Sequence, residues 1–169
     1  MISAISEEQA EAFGILRRPQ VKTDLLPEDR WWRYRMGRIG QLGLNLALAR
    51  RARTPLGNVW IIPGDGWICL SLASSPDSSS LDGGGMTANK TENAIAGRMI
   101  KWTGSRSGPG QMVWGLAPDT ITAVELLAAD GSTTTADVSD NTYGAELGAA
   151  LATVRIASET ILELGVPDR

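Results

Sequence analysis

The sequence has no histidine and a single cysteine, Cys69. Without histidine there is no imidazole general base, no Ser–His–Asp triad and no histidine-ligated metal. One cysteine can form neither an intramolecular disulfide nor a cysteine-rich zinc site. Cys69 lies in the apolar run "GWICLSL", which favours a small buried side chain on a strand over a nucleophile.

Neither sign of charge is in large excess, and long hydrophobic runs are lacking. The chain has 169 residues, enough for one domain with a sizeable core. Its 16 Lys and Arg and 19 Asp and Glu give a formal net charge of −3, whereas polyanion-binding domains are usually basic. No stretch approaches the ~18 apolar residues of a membrane span. The acidic start "MISAISEEQAEAF" is unlike a signal peptide, so we expect a soluble, untargeted chain.

The first part of the chain, residues 1–56, has a helical pattern. Ser6 and Gln9 have the spacing of a capping box, which predicts a helix running to about Arg18, before Pro19. Apolar residues recur at helical spacing again between residues 30 and 53. Several glycines interrupt them, so we expect one broken helix or two short ones that end near "ARRART". We therefore predict an N-terminal helical segment that packs on a β domain.

The second part, residues 57–169, is rich in short β-branched or aromatic runs divided by turn residues. The runs "NVWIIP" and "WICLSL" are divided by "GDG", and seven more follow: RMIKWTG, QMVWGLA, TITAVELLA, TTTADV, YGAEL, ATVRIAS and TILELG. About nine short strands at this spacing predict a mainly β (α+β) fold, an antiparallel β-sandwich or open barrel. Residues 74–93, rich in serine and glycine, are predicted to form a long polar loop.

Three stretches carry a resemblance: "AFGILRRPQ…DLLP", "NLALARRARTPLGNVWIIPGDGWICLSL" and "VWGLAPDTITAVELLAADGSTTTADVSDNTY". They are similar to a loosely defined set of uncharacterised actinobacterial proteins, often exported, with "LRRP…D.LP", "LARR…W.VPG.G..CL" and "V.GL.PDGV..V…DG…V.DN.Y" punctuation. The resemblance implies an extracytoplasmic module and no catalytic signature. The chain departs from the pattern by its missing export signal. It also has Met86 in place of a second cysteine, so any disulfide to Cys69 is absent.

The stretch "RWWRYRMGR" concentrates arginines and aromatic side chains. Adjacent helical residues lie about 100° apart, so Trp31 and Trp32 cannot both enter one core. Tryptophan and arginine are also the side chains most enriched in interface hot spots. We predict that this stretch packs on the β domain and contacts a protein partner or a second copy. The predicted binding residues are Arg30, Trp31, Trp32, Arg33, Tyr34, Arg35 and Arg38.

The same stretch leaves two other interpretations open. Arginines can bind phosphates while aromatic rings stack on bases or sit at headgroup depth, which would make it a membrane-surface or nucleic-acid binder. The net charge of −3 opposes a polyanion. We therefore rank a protein partner or homo-oligomer first, a membrane surface second and nucleic acid last.

The acidic residues allow a carboxylate-dependent hydrolase as a further alternative. Most of them fall in turns or at alternate strand positions, which predicts solvent-facing side chains. A weak Ca²⁺ site at Asp137, Asp140 and Asn141 lacks the residue count of a known calcium loop. Lys90, beside the Ser-rich stretch, is the lysine on which a Ser–Lys site would depend. We assign no catalytic residue, metal or cofactor.

Four tryptophans lie on predicted strands: Trp60, Trp67, Trp102 and Trp114. With one phenylalanine in the chain, we interpret them as the bulk of the aromatic core, with a sugar-stacking platform as the alternative. The sequence taken whole predicts a non-enzymatic interaction or structural module that contacts its partner through the Arg/Trp-rich stretch, with self-association as one form of that contact.

Overall fold

The computed structural model describes residues 4–26, 41–72, 85–104 and 108–164. Within these ranges the protein is mainly β, with eleven strands in three antiparallel sheets that do not close into a barrel. This confirms the predicted fold class. The first sheet has the order β1-β2-β3-β4 and comprises Arg50–Thr54, Gly57–Pro63, Trp67–Leu72 and Met86–Lys90.

The other two sheets are built from the second half of the chain. The second sheet has the order β5-β6-β9 and comprises Met99–Gly104, Gln111–Leu116 and Thr142–Leu147. The third sheet has the order β11-β10-β7-β8 and comprises, in chain order, Ala123–Ala128, Thr133–Asp137, Leu151–Ile156 and Glu159–Glu163. Each of these strands falls on a run that the alternating pattern and the turn residues predict.

Three apolar clusters hold the sheets together. The first cluster, between the first and second sheets, includes Ile61, Leu70 and Trp114. The second cluster, between the second and third sheets, includes Val113 and Val154. The third cluster, on the outer face of the first sheet, consists of Leu44, Ala49, Trp60, Ile62 and Cys69. The second sheet is therefore a middle layer whose alternate side chains enter two cores.

A glycine allows the middle layer to hold a tyrosine. Gly115 on β6 pairs with Tyr143 on β9, and the tyrosine ring lies so close that a Cβ at Gly115 would overlap Tyr143 Cζ. The absent side chain makes room for an aromatic ring that is itself buried in the second cluster. A residue larger than glycine would push the ring out of this core.

In the part of the chain that the structure describes, the helices assigned here are short, and all but one lie near the N-terminus. They are α1 (Glu7–Ala12), α2 (Gly14–Arg17) and α3 (Thr91–Ile95), with 3₁₀ turns at Lys22–Asp24 and Leu46–Leu48. Ser6 accepts a hydrogen bond from the Gln9 N–H at 3.2 Å, which confirms the predicted cap. The predicted single helix to Arg18 is instead divided at Phe13, whose extended backbone lets its side chain enter the first cluster.

Two sequence-based expectations are wrong in the described residues. Arg50–Thr54 is strand β1, not the end of a helix, because it pairs with β2 through a two-residue turn at Pro55 and Leu56; tertiary pairing overrides the helix propensity of arginine. The predicted loop at residues 74–93 is also too long. Its last part forms β4 and the start of α3, because the polar run MTANK completes the first sheet against β3.

Candidate functional site

The predicted binding residues Arg30, Trp31, Trp32, Arg33, Tyr34, Arg35 and Arg38 lie outside the described residues. The prediction that they form a contact surface stays a prediction. The structure does describe the chain on both sides of residues 27–40, up to Leu26 and from Gln41 onward. These flanking residues show how the stretch is attached to the β domain.

Before the stretch, a buried ion pair fixes the chain to β1. Arg18 donates to both carboxylate oxygens of Asp24, at 2.7 and 2.6 Å. Asp24 also accepts from the N–H groups of Val21 at 2.8 Å and Arg51 at 2.7 Å. Arg18 further donates to the Arg51 carbonyl at 3.1 Å. We call Arg18 and Asp24 the clasp; it ties residues 18–24 to the backbone of the first sheet.

The clasp holds Asp24 in its charged form. The Asp24 side chain is fully buried, and burial alone would raise its pKa. The hydrogen bonds from Arg18, Val21 and Arg51 outweigh this effect and lower the pKa of Asp24 to about 2. The hydrogen bond between Arg18 and Asp24 also raises the pKa of Arg18, although burial acts in the opposite direction. With a pKa of about 2, Asp24 is ionised at neutral pH and pairs with the Arg18 guanidinium.

A second arginine, Arg50, binds backbone carbonyls next to the clasp, and in the described residues it has no acidic partner. Arg50 is buried, and its guanidinium donates to the carbonyls of Arg18, Leu48 and Ala49 at 2.9 to 3.0 Å. Burial lowers the pKa of Arg50, which nearby Asp24 partly offsets. Its role is to satisfy carbonyl oxygens where the chain enters β1.

After the stretch, the chain returns to the third cluster. Leu44 belongs to this cluster, and Leu42 and Leu46 pack against it. Leu26, on the other side of residues 27–40, packs against the same cluster. The Asn45 N–H donates to the Pro63 carbonyl at 2.9 Å. Both ends of the Arg/Trp-rich stretch are therefore anchored on the outer face of the first sheet.

A groove of about 290 Å³ separates α2 from the β8–β9 turn. On its wall Asp119 accepts from the Gly14 N–H at 2.7 Å and the Asn141 amide at 2.8 Å, and it pairs with Arg17. Burial would raise the pKa of Asp119, but the bonds from Asn141, Arg17 and Gly14 lower it. Because this carboxyl is held ionised, it is poorly suited to act as a general acid.

The polar side chain of Asn141 is used by the fold. Its Oδ1 accepts from the Ile15 N–H at 2.9 Å, and its Nδ2 donates to the Ala117 carbonyl at 3.0 Å as well as to Asp119. In the described part of the chain, no three or more His, Cys, Asp or Glu residues are grouped to hold a metal ion. The calcium alternative at Asp137, Asp140 and Asn141 gains no support.

A second groove, of about 360 Å³, lies where β2 and β4 end and β3 begins. Its lining comprises Glu8, Asp65, Gly66, Trp67, Lys90, Thr91 and Glu92. The Lys90 ammonium lies 3.9 Å from a carboxylate oxygen of Glu92. Both side chains of this pair are exposed, and none of the described residues that line the groove is a serine that Lys90 could activate.

The buried amide of Gln9 fixes the floor of this second groove. Its Nε2 donates to the carbonyls of Gly64 and Trp67, at 3.1 and 2.8 Å, and to the hydroxyl of Thr91 at 3.0 Å. The capping-box spacing predicts a role for Gln9, but its side chain does not bind the Ser6 backbone. It binds groups 55 to 82 residues away in sequence instead.

The four strand tryptophans divide between core and surface. Trp60 and Trp114 are buried, which confirms their predicted core role, and Trp67 is half-buried. Trp102, near the end of β5, is 42% exposed. Trp102 is the most exposed of the four, and Trp67 lines the second groove.

No protein-family model, curated protein or solved structure matches this chain. Among the residues that the structure describes, no helix is long and apolar enough to cross a membrane.

Proposed function

We propose that this protein is a non-enzymatic interaction module that presents the stretch Arg30–Arg38 to an acidic protein surface, such as that of a second copy. The observation that carries the proposal is the anchoring of both ends of residues 27–40 on one cluster, through Leu26 and Leu42. Binding residues are commonly found on connecting segments whose two ends are fixed to a rigid scaffold.

The distribution of charge supports this partner. Residues 27–40 contain four arginines and two acids, a net charge of +2. Since the whole chain carries −3, the remaining residues carry −5. A basic stretch on an acidic body is attracted to acidic surfaces, including the body of another copy.

The polar groups that could have suggested catalysis serve the fold instead. Asp24 and Asp119 are held ionised by hydrogen bonds to the N-terminal segment. The amides of Gln9 and Asn141 bind backbone groups of distant elements. These contacts favour a structural scaffold over the alternative of a carboxylate-dependent hydrolase.

Self-association tests the proposal directly. Sedimentation velocity of the full chain over a range of concentrations should show dimers or higher species that weaken as salt rises. Arg33→Ser/Arg35→Ser should abolish them. Arg53→Ser/Arg98→Ser is the matched control, because it removes the same charge from exposed positions elsewhere and should leave association intact. Equal loss in both variants, or a wild-type chain that stays monomeric, would contradict the proposal.

A vesicle assay separates the membrane-surface alternative. The full chain is co-sedimented with anionic phospholipid vesicles at low and physiological salt, beside Trp31→Ala/Trp32→Ala. We expect no salt-sensitive binding. Binding that the double variant loses would overturn the protein-partner proposal in favour of a membrane surface.

An extracytoplasmic setting forms part of the proposal and is supported by the actinobacterial resemblance alone. Fractionation of cells expressing the natural gene, with detection by antibody, checks it. Recovery of the protein only in the cytoplasmic fraction would remove this part and leave the interaction proposal standing.

A further inference from the structure

Strand β1 is an edge strand, and side chains bind the outer backbone groups of Arg51 near its start. Among the described strands β1 pairs with β2 alone, and alternate residues of an antiparallel strand turn their N–H and C=O groups outward. The Arg51 N–H binds Asp24, and the Arg51 carbonyl binds Arg18. The Gln20 amide donates to the Ala49 carbonyl, just before β1, at 3.1 Å. Side chains of residues 18–24 thus occupy the place of a neighbouring strand.

We propose that residues 18–24 are an autoinhibitory contact that prevents β1 from pairing with strand β11 of a second copy. Exposed edges invite strand pairing between chains, and natural proteins cover them. Here the cover is a short segment held by one buried ion pair and a glutamine, so a single substitution can open it.

Charge points to β11 as the excluded strand. β1 carries Arg51 and Arg53 on the strand, whereas β11 carries Glu159 and Glu163. Pairing of β1 with another β1, or of β11 with another β11, would set like charges side by side, while β1 with β11 sets opposite charges together. The two strands are five residues long each, so their lengths also match.

The position of β11 makes it accessible. It is the end strand of the third sheet, and among the described strands it pairs with β10 alone. Glu159, Thr160 and Glu163 are exposed. Because each copy has one β1 and one β11, the contact would be head-to-tail, and such contacts build rings or open series of copies.

The test opens the clasp and follows assembly. All proteins carry Arg33→Ser/Arg35→Ser, the change expected to abolish association through the Arg30–Arg38 stretch, and failure of that proposal would leave this test unaffected. Asp24→Ala should give a ladder of oligomers in sedimentation velocity that lengthens with concentration. Asp119→Ala is the control, because it loosens the N-terminal segment at Gly14 without touching β1. It should remain monomeric.

A second arm identifies the paired strand. Glu159→Lys/Glu163→Lys, added to Asp24→Ala, should return the protein to monomers. Circular dichroism confirms that each variant is folded, and Gln20→Ala with Asp24→Asn replaces Asp24→Ala if the latter does not fold. A folded, clasp-opened variant that stays monomeric would overturn the proposal. Oligomers that persist after the two Glu→Lys changes would overturn β11 as the excluded strand.

Discussion

The N-terminal segment (residues 4–26) and the third sheet (β7, β8, β10 and β11) are joined to the rest of the protein by different contacts. The segment buries Phe13, Ile15 and Leu16 in the first cluster. It is also fixed by polar contacts between groups far apart in sequence, such as Asp24 with the Arg51 N–H and Asn141 with the Ile15 N–H. The third sheet depends mainly on strand pairing and on the apolar second cluster.

The difference follows from what each region can do alone. Helices α1 and α2 have six and four residues, too few to be stable in water by themselves. Their backbone groups therefore need partners from outside, which Asp119 and Asn141 supply at Gly14 and Ile15 of α2. In the third sheet, β7 pairs with β8, and β10 pairs with β7 and β11, so neighbouring strands satisfy most backbone groups. Gln111 of β6 adds a polar contact, accepting from the Leu151 N–H at 2.8 Å. Short irregular segments need polar contacts to their backbone groups, whereas hairpins are stabilised mainly by strand pairing and apolar burial.

The largest effect that would sharpen this contrast is expected from Asp24→Ala. It removes the partner of Arg18 and of two N–H groups at once, which should lower the free energy of unfolding by about 3 kcal/mol. Urea titration measures it. Glu163→Ala, an exposed carboxylate in the third sheet, is the control and should cost less than about 0.5 kcal/mol. Similar losses in the two variants would mean that the clasp adds little to stability.

Acid should weaken the N-terminal anchor. The pKa of Asp24 is about 2 in the folded protein and ordinarily 3.8, so its contribution is complete above about pH 4. It disappears as the pH falls from there through the folded pKa. The contribution is about 2 kcal/mol. Urea midpoints at pH 7, 4 and 2.5 should therefore fall more steeply in the wild type than in Asp24→Asn. Parallel curves would contradict this origin of the acid sensitivity.

The strands of the second half could be predicted from sequence because each has its own local pattern, although β9 pairs with β6 and β10 with β7, across intervening strands. The runs that became β5 to β11 alternate between core and surface and end at turn residues, so local rules suffice. β4 could not be predicted in this way. Met86 and Ala88 pack against the third cluster, whereas Thr87 and Asn89 are half-buried polar residues, and pairing with β3 makes this short run a strand.

The polar contacts that fix the N-terminal segment could not be predicted from the sequence either, because they join residues far apart in the chain. Asp24 and Asn141 bind partners 27 and 126 residues away, and no short motif encodes such distances. Arg50, Arg51 and Arg53 look like the basic end of a helix until the edge position of β1 is known. Composition did predict that tryptophan fills the core, since Trp60 and Trp114 are buried.

The two hairpin turns with positive φ offer a smaller, stabilising change. Ala157 and Ser158, between β10 and β11, have φ of 49° and 68°, and Asp140 and Asn141 have 49° and 62°. Asn and Asp tolerate this conformation better than Ala and Ser. Ala157→Asn/Ser158→Gly should therefore raise the free energy of unfolding by about 1 kcal/mol. Asp140→Ala should lower it by a similar amount, and a change of the same sign in both variants would contradict the turn argument.

The smallest effect is expected from Tyr143→Phe, which tests whether the apolar layers need any polar anchor. In the described residues, the Tyr143 hydroxyl is buried without a hydrogen-bond partner, and burial raises the pKa of this phenol well above its ordinary range. Its removal leaves the ring over Gly115 and deletes an unsatisfied group, so stability should rise by about 0.5 kcal/mol or stay unchanged. Tyr143→Leu, which also removes the ring, should instead cost about 2 kcal/mol. A loss above about 1 kcal/mol in Tyr143→Phe, measured by urea unfolding, would show that the hydroxyl has a partner and that this core, like the N-terminal segment, is tied by a polar contact.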